Sequence, residues 1–177
     1  MKHWVLFATV LTAIAVACIR PLPSAAQSGD AAPLDTEFLI KAVGAGNAEI
    51  SFSELADSHS SNLDVKAFAK ELIKDHEALN VELKQYASDQ KIAILTGLEK
   101  GTRDEVEVLS RLKNDAFDFA YVNRMVDDHQ KAVKLFENQD KNGKNAKLKA
   151  YAETALPTLC EPSLRKCNPA IVTHSRR

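Results

Sequence analysis

Two stretches of the chain decide its fold: Phe68-Ala-Lys-Glu-Leu-Ile-Lys-Asp-His76 and Tyr121-Val-Asn-Arg-Met-Val-Asp-Asp-His129. A shift of 53 residues superposes one Asp-His pair on the other. In both stretches apolar residues recur at steps of three and four, which is the spacing of one helix face. Each histidine lies on that apolar face, and a helix turns such a face towards the core. The sequence therefore predicts two equivalent helices that each carry an imidazole inwards at the same level.

The composition favours one helical domain and excludes some classes of partner. The chain has 177 residues, 45% of them hydrophobic, which is enough for one domain with a sizeable core. Its net charge is −1, but residues 27–159 carry 17 Lys and Arg against 23 Asp and Glu. A nucleic-acid-binding domain would show a basic stripe instead, so no nucleic-acid partner is expected. The acidic body also gives no support to a helix lying on anionic lipid.

The N-terminus is typical of a secretory signal. Lys2 and His3 precede an apolar run over residues 4–17, which is too short to span a bilayer comfortably. We predict a signal peptide over residues 1–26, cleaved after Ser24-Ala25-Ala26. The alternative is a lipoprotein signal that ends before Cys18 and leaves that residue as a lipid anchor. Both predictions place the chain in the periplasm or in association with the outer membrane.

Helical periodicity and turn residues divide the rest of the chain. Residues 27–34 are predicted to be a linker, and residues 35–159 a bundle of four main helices. The predicted boundaries are residues 35–58 with Asp35 as cap, 63–91, 114–138 with Asn114 or Asp115 as cap, and 145–159 with a kink at Pro157. A short extra helix, opened by the capping box Thr102-Arg-Asp-Glu105, is expected in the central crossover.

The C-terminal residues 160–177 show no helical pattern and are predicted to be irregular. Pro162 and Pro169 rule out a continuous helix there. Cys160 and Cys167 form a disulfide or remain two unpaired thiols, and the sequence leaves both open.

Three polar residues fall on the core faces of three separate helices, namely Glu49, His76 and His129. Bundle cores build metal sites from carboxylates and imidazoles on facing helices. We therefore predict a transition-metal site for iron, zinc or manganese with these three residues as ligands. Asp75 and Asp128, each one residue before a histidine, are secondary candidates that bind the ion or orient an imidazole.

The alternative is a polar core without metal, in which Glu49 accepts hydrogen bonds from both imidazoles. The paired Glu-x-x-His pattern of di-iron bundles is missing, because Ile73 and Val126 stand three residues before the histidines. A ferroxidase is therefore disfavoured, and nothing in the chain marks a hydrolase, so no catalytic residue is assigned. His59 lies at a predicted helix end and is expected to be solvated.

Several motifs together resemble the bacterial ferritin-like family DUF4142: Ala48-Glu49-Ile50, Val65-Lys-Ala-Phe-Ala69, Met125-Val-Asp-Asp-His129, Leu148-Lys-Ala-Tyr-Ala152 and Leu156-Pro-Thr-Leu159. The resemblance runs over residues 35–159. It implies an exported or outer-membrane-associated four-helix bundle of ferritin-like topology, without an assigned activity. Members of the family usually continue after Leu-Pro-Thr-Leu with Arg-Glu-His-Leu, whereas this chain continues with Cys160-Glu-Pro-Ser163. Pro162 stands in place of that histidine, so any ligand that the family's site draws from it is absent here.

Overall fold

The computed structural model describes residues 32–159, and within that range all regular structure is α-helical. The helices are α1 (Pro33–Glu54), α2 (Ala56–His59), α3 (Leu63–Asp89), α4 (Lys100–Ser110), α5 (Asn114–Asn142) and α6 (Ala146–Leu159). The all-α prediction is therefore confirmed. The predicted cleavage sites, the Cys18 anchor and the Cys160–Cys167 pair lie outside the described residues.

Four long helices form the bundle, and their directions follow from the contacts between them. Asn47 of α1 contacts Asn80 of α3, and Glu49, which is further along α1, contacts His76, which comes earlier in α3. The same holds between α1 and α5, where Glu49 contacts His129 and Ser53 contacts Tyr121. Both α3 and α5 are therefore antiparallel to α1, and the segment over residues 90–113 crosses the length of the bundle. This is the predicted ferritin-like topology, with α4 as the short extra helix in the crossover.

The sequence repeat corresponds to a spatial equivalence between α3 and α5. The rings of Phe68 and Tyr121 lie 6.1 Å apart, and those of His76 and His129 lie 5.6 Å apart. Both pairs are separated by 53 residues in the chain, so the two helices run parallel and in the same register. The prediction that both imidazoles reach the interior at one level is confirmed.

Some predicted caps are wrong. Asp35 lies inside the first turn of α1, which has Pro33 at its start and no side-chain cap. Its buried carboxylate instead accepts hydrogen bonds from Gln139 Nε2 and from the backbone N–H groups of Lys144 and Asn145. Asp35 therefore ties the start of α1 to the turn between α5 and α6. A buried carboxylate without hydrogen-bond donors costs more free energy than an exposed first helical turn without a cap.

Other predicted boundaries shift by a few residues. Helix α4 begins at Lys100 without a side-chain cap, so the predicted capping box does not open it. Lys113 is the N-terminal flanking residue of α5, which extends to Asn142 and ends before Gly143. The first predicted helix is interrupted at Leu55, where α1 gives way to the short α2. Asn62 caps α3 by accepting hydrogen bonds from the backbone N–H groups of Asp64 and Val65.

The apolar core is divided into two clusters by a polar layer. One cluster includes Phe52, Phe117 and Met125, and the other includes Phe38 and Phe136. On α3 and α5 the histidines of the predicted site lie between the two clusters, whereas on α1 Glu49 directly follows Ala48 of the first cluster. The site therefore lies near the middle of the bundle, where the two apolar clusters meet. None of the helices over residues 32–159 combines the length and the apolar character that a bilayer span requires.

Candidate metal centre

Three helices each contribute one side chain to the polar layer: α1 gives Glu49, α3 gives His76 and α5 gives His129. All three residues are buried, with 1% of Glu49, 7% of His76 and 8% of His129 exposed. Glu49 Oε2 lies 3.0 Å from His76 Nε2 and 3.0 Å from His129 Nδ1. The structure thus brings together the three residues that the apolar periodicity predicted.

The hydrogen bonds within this group are incomplete. The two nitrogen–oxygen distances of 3.0 Å are short enough for hydrogen bonds, but neither carboxylate oxygen of Glu49 has a well-directed donor. The better-aligned contact of His129 Nδ1–H is with the backbone carbonyl of Met125, at 2.9 Å. In the neutral tautomer that donates from Nδ1, Nε2 of His129 keeps its lone pair, as in histidines that bind metals through one nitrogen and are oriented through the other.

The electrostatics of the group favour a bound cation. Burial disfavours the ionised form of Glu49, but the two imidazoles outweigh burial and lower its pKa from 4.5 to about 2. Burial likewise disfavours the charged form of His129, yet Glu49, the Met125 carbonyl and Asp128 together raise its pKa above 6.5. Glu49 is therefore a buried anion at neutral pH, and either a protonated imidazole or a metal ion can balance its charge.

The spacing of the group suits a metal ion. One carboxylate oxygen and one nitrogen of each imidazole all lie within 4.8 Å of one another. A tetrahedral ion with ligands at about 2.0–2.2 Å sets its ligand atoms roughly 3.3–3.6 Å apart. The observed separations, which include one of 3.0 Å and do not exceed 4.8 Å, are close to that range.

A small cavity of about 30 Å³ adjoins the histidines between α3 and the end of α6. Its lining includes both imidazoles together with Asp75, Glu71 and Thr158. The volume is sufficient for one or two water molecules. Three candidate ligands beside a cavity large enough for water resemble metal sites that keep a coordination position open.

The two secondary candidates lie in different surroundings. Asp75 is half-buried and lines the cavity beside His76. Asp128 is buried and forms ion pairs with Arg124, at 2.5 Å, and with Lys131, at 3.1 Å. Neither belongs to the three-residue group, and Asp128 acts on the group through its charge, by helping to raise the pKa of His129.

Sequence reasoning missed two polar contacts that support the bundle. Ser53 Oγ and Tyr121 Oη are hydrogen-bonded at 2.7 Å in the interior, one helical turn beyond Glu49 along α1. His59, predicted to be solvated, is half-buried, with Nε2 2.8 Å from the carbonyl oxygen of Ser110 and Nδ1 2.9 Å from that of Leu55. The prediction for His59 is wrong because the crossover returns to cover the end of α2, and no local pattern shows that.

Comparisons with known proteins agree with the fold. A solved structure described as "CopM in the Cu(I)-bound form" superposes with a TM-score of 0.65 and 17% sequence identity, covering 78% of this chain and 96% of that chain. At this identity the likeness concerns the helical fold alone. No curated protein matches the sequence significantly. The profile of the family described as "Domain of unknown function (DUF4142)" matches residues 20–162, so the chain belongs to the DUF4142 family.

Proposed function

We propose that this protein binds one divalent transition-metal ion between α1, α3 and α5 through Glu49, His76 and His129. The observation that carries the proposal is the convergence of two imidazoles on a buried carboxylate whose oxygens have no well-directed donor. A cation would offset the cost of burying the charge of Glu49 and would satisfy those oxygens.

The donor set bears on the identity of the ion. One carboxylate and two imidazoles form the ligand set of many zinc and non-haem iron sites, so Zn²⁺ and Fe²⁺ are the leading candidates and Mn²⁺ the weakest binder. Copper is a further candidate, because imidazole binds it and the CopM structure contains it. The three-residue group has no thiolate or thioether, the soft donors that Cu(I) prefers, and this favours a divalent ion.

Thermal unfolding with and without metal tests the proposal. Zn²⁺ at about 100 times its dissociation constant should add about 2.7 kcal/mol to the free energy of unfolding, which raises Tm by roughly 5–10 °C. A chelator should reverse the shift. The control is the His76→Ala/His129→Ala double variant, whose Tm should not respond to Zn²⁺. An equal shift in both proteins would refute binding at this group.

The second candidate function is a structural or interaction module with a metal-free polar core. The observation in its favour is that both nitrogen–oxygen distances, at 3.0 Å, are already of hydrogen-bond length. Under this alternative neither a chelator nor added metal changes the Tm of the protein as isolated from its native host. The two candidates therefore make opposite predictions for one measurement.

The location of the protein is also a proposal. The apolar run over residues 4–17 supports export, with the periplasm or the outer membrane as destination. Cell fractionation and N-terminal sequencing of the mature chain test it. A mature chain that begins at Gln27 supports the signal peptide, a lipidated Cys18 supports the lipoprotein alternative, and an uncleaved chain in the cytoplasm refutes both.

A further inference from the structure

The three-ligand group is accessible from one side of the bundle. The side chains of His76 and His129 are 9% and 10% exposed, whereas that of Glu49 is 1% exposed. Both imidazoles line the cavity between α3 and the end of α6, and Thr158 stands at its margin as an exposed residue. An ion bound by the group would therefore exchange with solvent past the histidines, with the buried carboxylate behind them.

Two carboxylates face this cavity. Glu71 and Asp75 lie one helical turn apart on α3, and both line the cavity with His76. Within residues 32–159 neither forms an ion pair or a hydrogen bond, so their charges are not neutralised by contact. Asp75 is half-buried and immediately precedes His76 in the chain.

The opposite side of the site has the reverse character. There a groove between α1 and α5 is lined by three cations, Lys41, Arg124 and Lys131, and by two carboxylates, Asp128 and Glu99. Asp128 is paired with Arg124 and Lys131. A groove in which cations outnumber carboxylates attracts a metal ion less than a cavity lined by two unpaired carboxylates. Charge and exposure thus single out the same side of the bundle as the route for a cation.

We propose that metal ions load through the cavity beside α6 and that Asp75, assisted by Glu71, draws them in and transfers them to His76 and His129. This proposal rests on the proposed metal-binding function and adds the route of the ion and the residues that set the rate of its uptake. Asp75 is a positioning residue in this proposal, because the ion's final ligands are Glu49 and the two histidines. Its removal should slow loading and leave the number of bound ions unchanged.

Stopped-flow uptake of Zn²⁺ by the metal-free protein tests the proposal, with a chromophoric chelator reporting the free ion. Asp75→Asn should lower the association rate constant about three- to tenfold at about 20 mM ionic strength. At about 500 mM the difference should shrink to within about twofold, because salt screens the carboxylate. The Asp75→Asn/Glu71→Gln double variant should show a larger decrease than the single variant.

Glu77→Gln is the matched control. Glu77 follows His76 on α3, is exposed and does not line the cavity, so its removal changes the net charge equally without touching the route. Thr158→Phe tests the route sterically: it should slow Zn²⁺ uptake and release by the same factor and leave the dissociation constant unchanged.

Each outcome has a distinct meaning. Asp75→Asn rates equal to those of Glu77→Gln, with one Zn²⁺ bound per chain, would overturn this inference and leave the proposed function intact. Loss of stoichiometric binding in Asp75→Asn would also overturn it, since Asp75 would then be a ligand. No Zn²⁺ uptake by the wild-type chain would overturn the proposed function and this inference together.

Discussion

Replacing Glu49 by glutamine removes the charge at the centre of the site while keeping the size of the side chain. In the metal-free protein the pKa of Glu49 is lowered from 4.5 to about 2. At 1.36 kcal/mol per pKa unit, this shift corresponds to about 3 kcal/mol of stability at neutral pH. Glu49 is 1% exposed, so solvent screening does little to reduce that figure. Glu49→Gln should therefore lower the free energy of unfolding by about 3 kcal/mol before any metal is added.

Urea unfolding at pH 7, with chelator or with saturating Zn²⁺, measures both effects of this substitution. Wild type should gain stability on Zn²⁺ addition, and Glu49→Gln should gain less than about 1 kcal/mol, because the anionic ligand is missing. Glu77→Gln, an exposed substitution on α3, should behave as wild type in both conditions. A Glu49→Gln variant within about 1 kcal/mol of wild type in chelator would refute the electrostatic account. An unchanged Zn²⁺ increment would show that Glu49 is not a ligand.

Three further predictions follow from the structure. In the metal-free protein, the contribution of Glu49 to the free energy of unfolding should be lost as pH falls from 4.5 towards 2, because folding lowers the pKa of Glu49. The contribution of His129 should be present in full below pH 6.5 and should be lost as pH rises through its raised pKa. Urea unfolding from about pH 3 to 9 checks both trends, and Glu49→Gln should flatten them. Asp35→Ala should cost about 2–4 kcal/mol in urea unfolding, because three donors lose a buried acceptor, and a loss below about 1 kcal/mol would contradict that role. Gly143→Ala should lower the free energy of unfolding by about 1–3 kcal/mol, because the added Cβ would lie 2.5 Å from the Gln139 carbonyl oxygen. Gly44→Ala, whose Cβ would have no atom within 4 Å, should stabilise α1 by up to about 1 kcal/mol. Equal effects of the two substitutions on Tm would refute the packing argument.

The long helices and the candidate ligands were predictable because their signal is local. Apolar spacing identifies the buried face of each helix, and Glu49, His76 and His129 stand out as polar residues on such faces. The 53-residue repeat added information that a single helix lacks, since equivalent positions on two parallel helices lie at the same level. Together these patterns predicted both the bundle and the group at its centre.

The features that sequence reasoning missed depend on contacts between distant segments. Asp35 resembles a helix cap in the sequence, and only the fold shows that it receives hydrogen bonds from residues more than 100 positions away. His59 appears exposed until the crossover returns to cover it. The different surroundings of Asp75 and Asp128 could not be read from equivalent positions in a repeat, because the neighbouring elements differ.

The metal content of the purified chain decides whether Glu49, His76 and His129 hold a metal ion. The chain should be loaded with Zn²⁺, dialysed and analysed for metal and protein beside the His76→Ala/His129→Ala variant. We expect one ion per wild-type chain and almost none in the variant. Equal, substoichiometric metal in the two proteins would contradict this expectation.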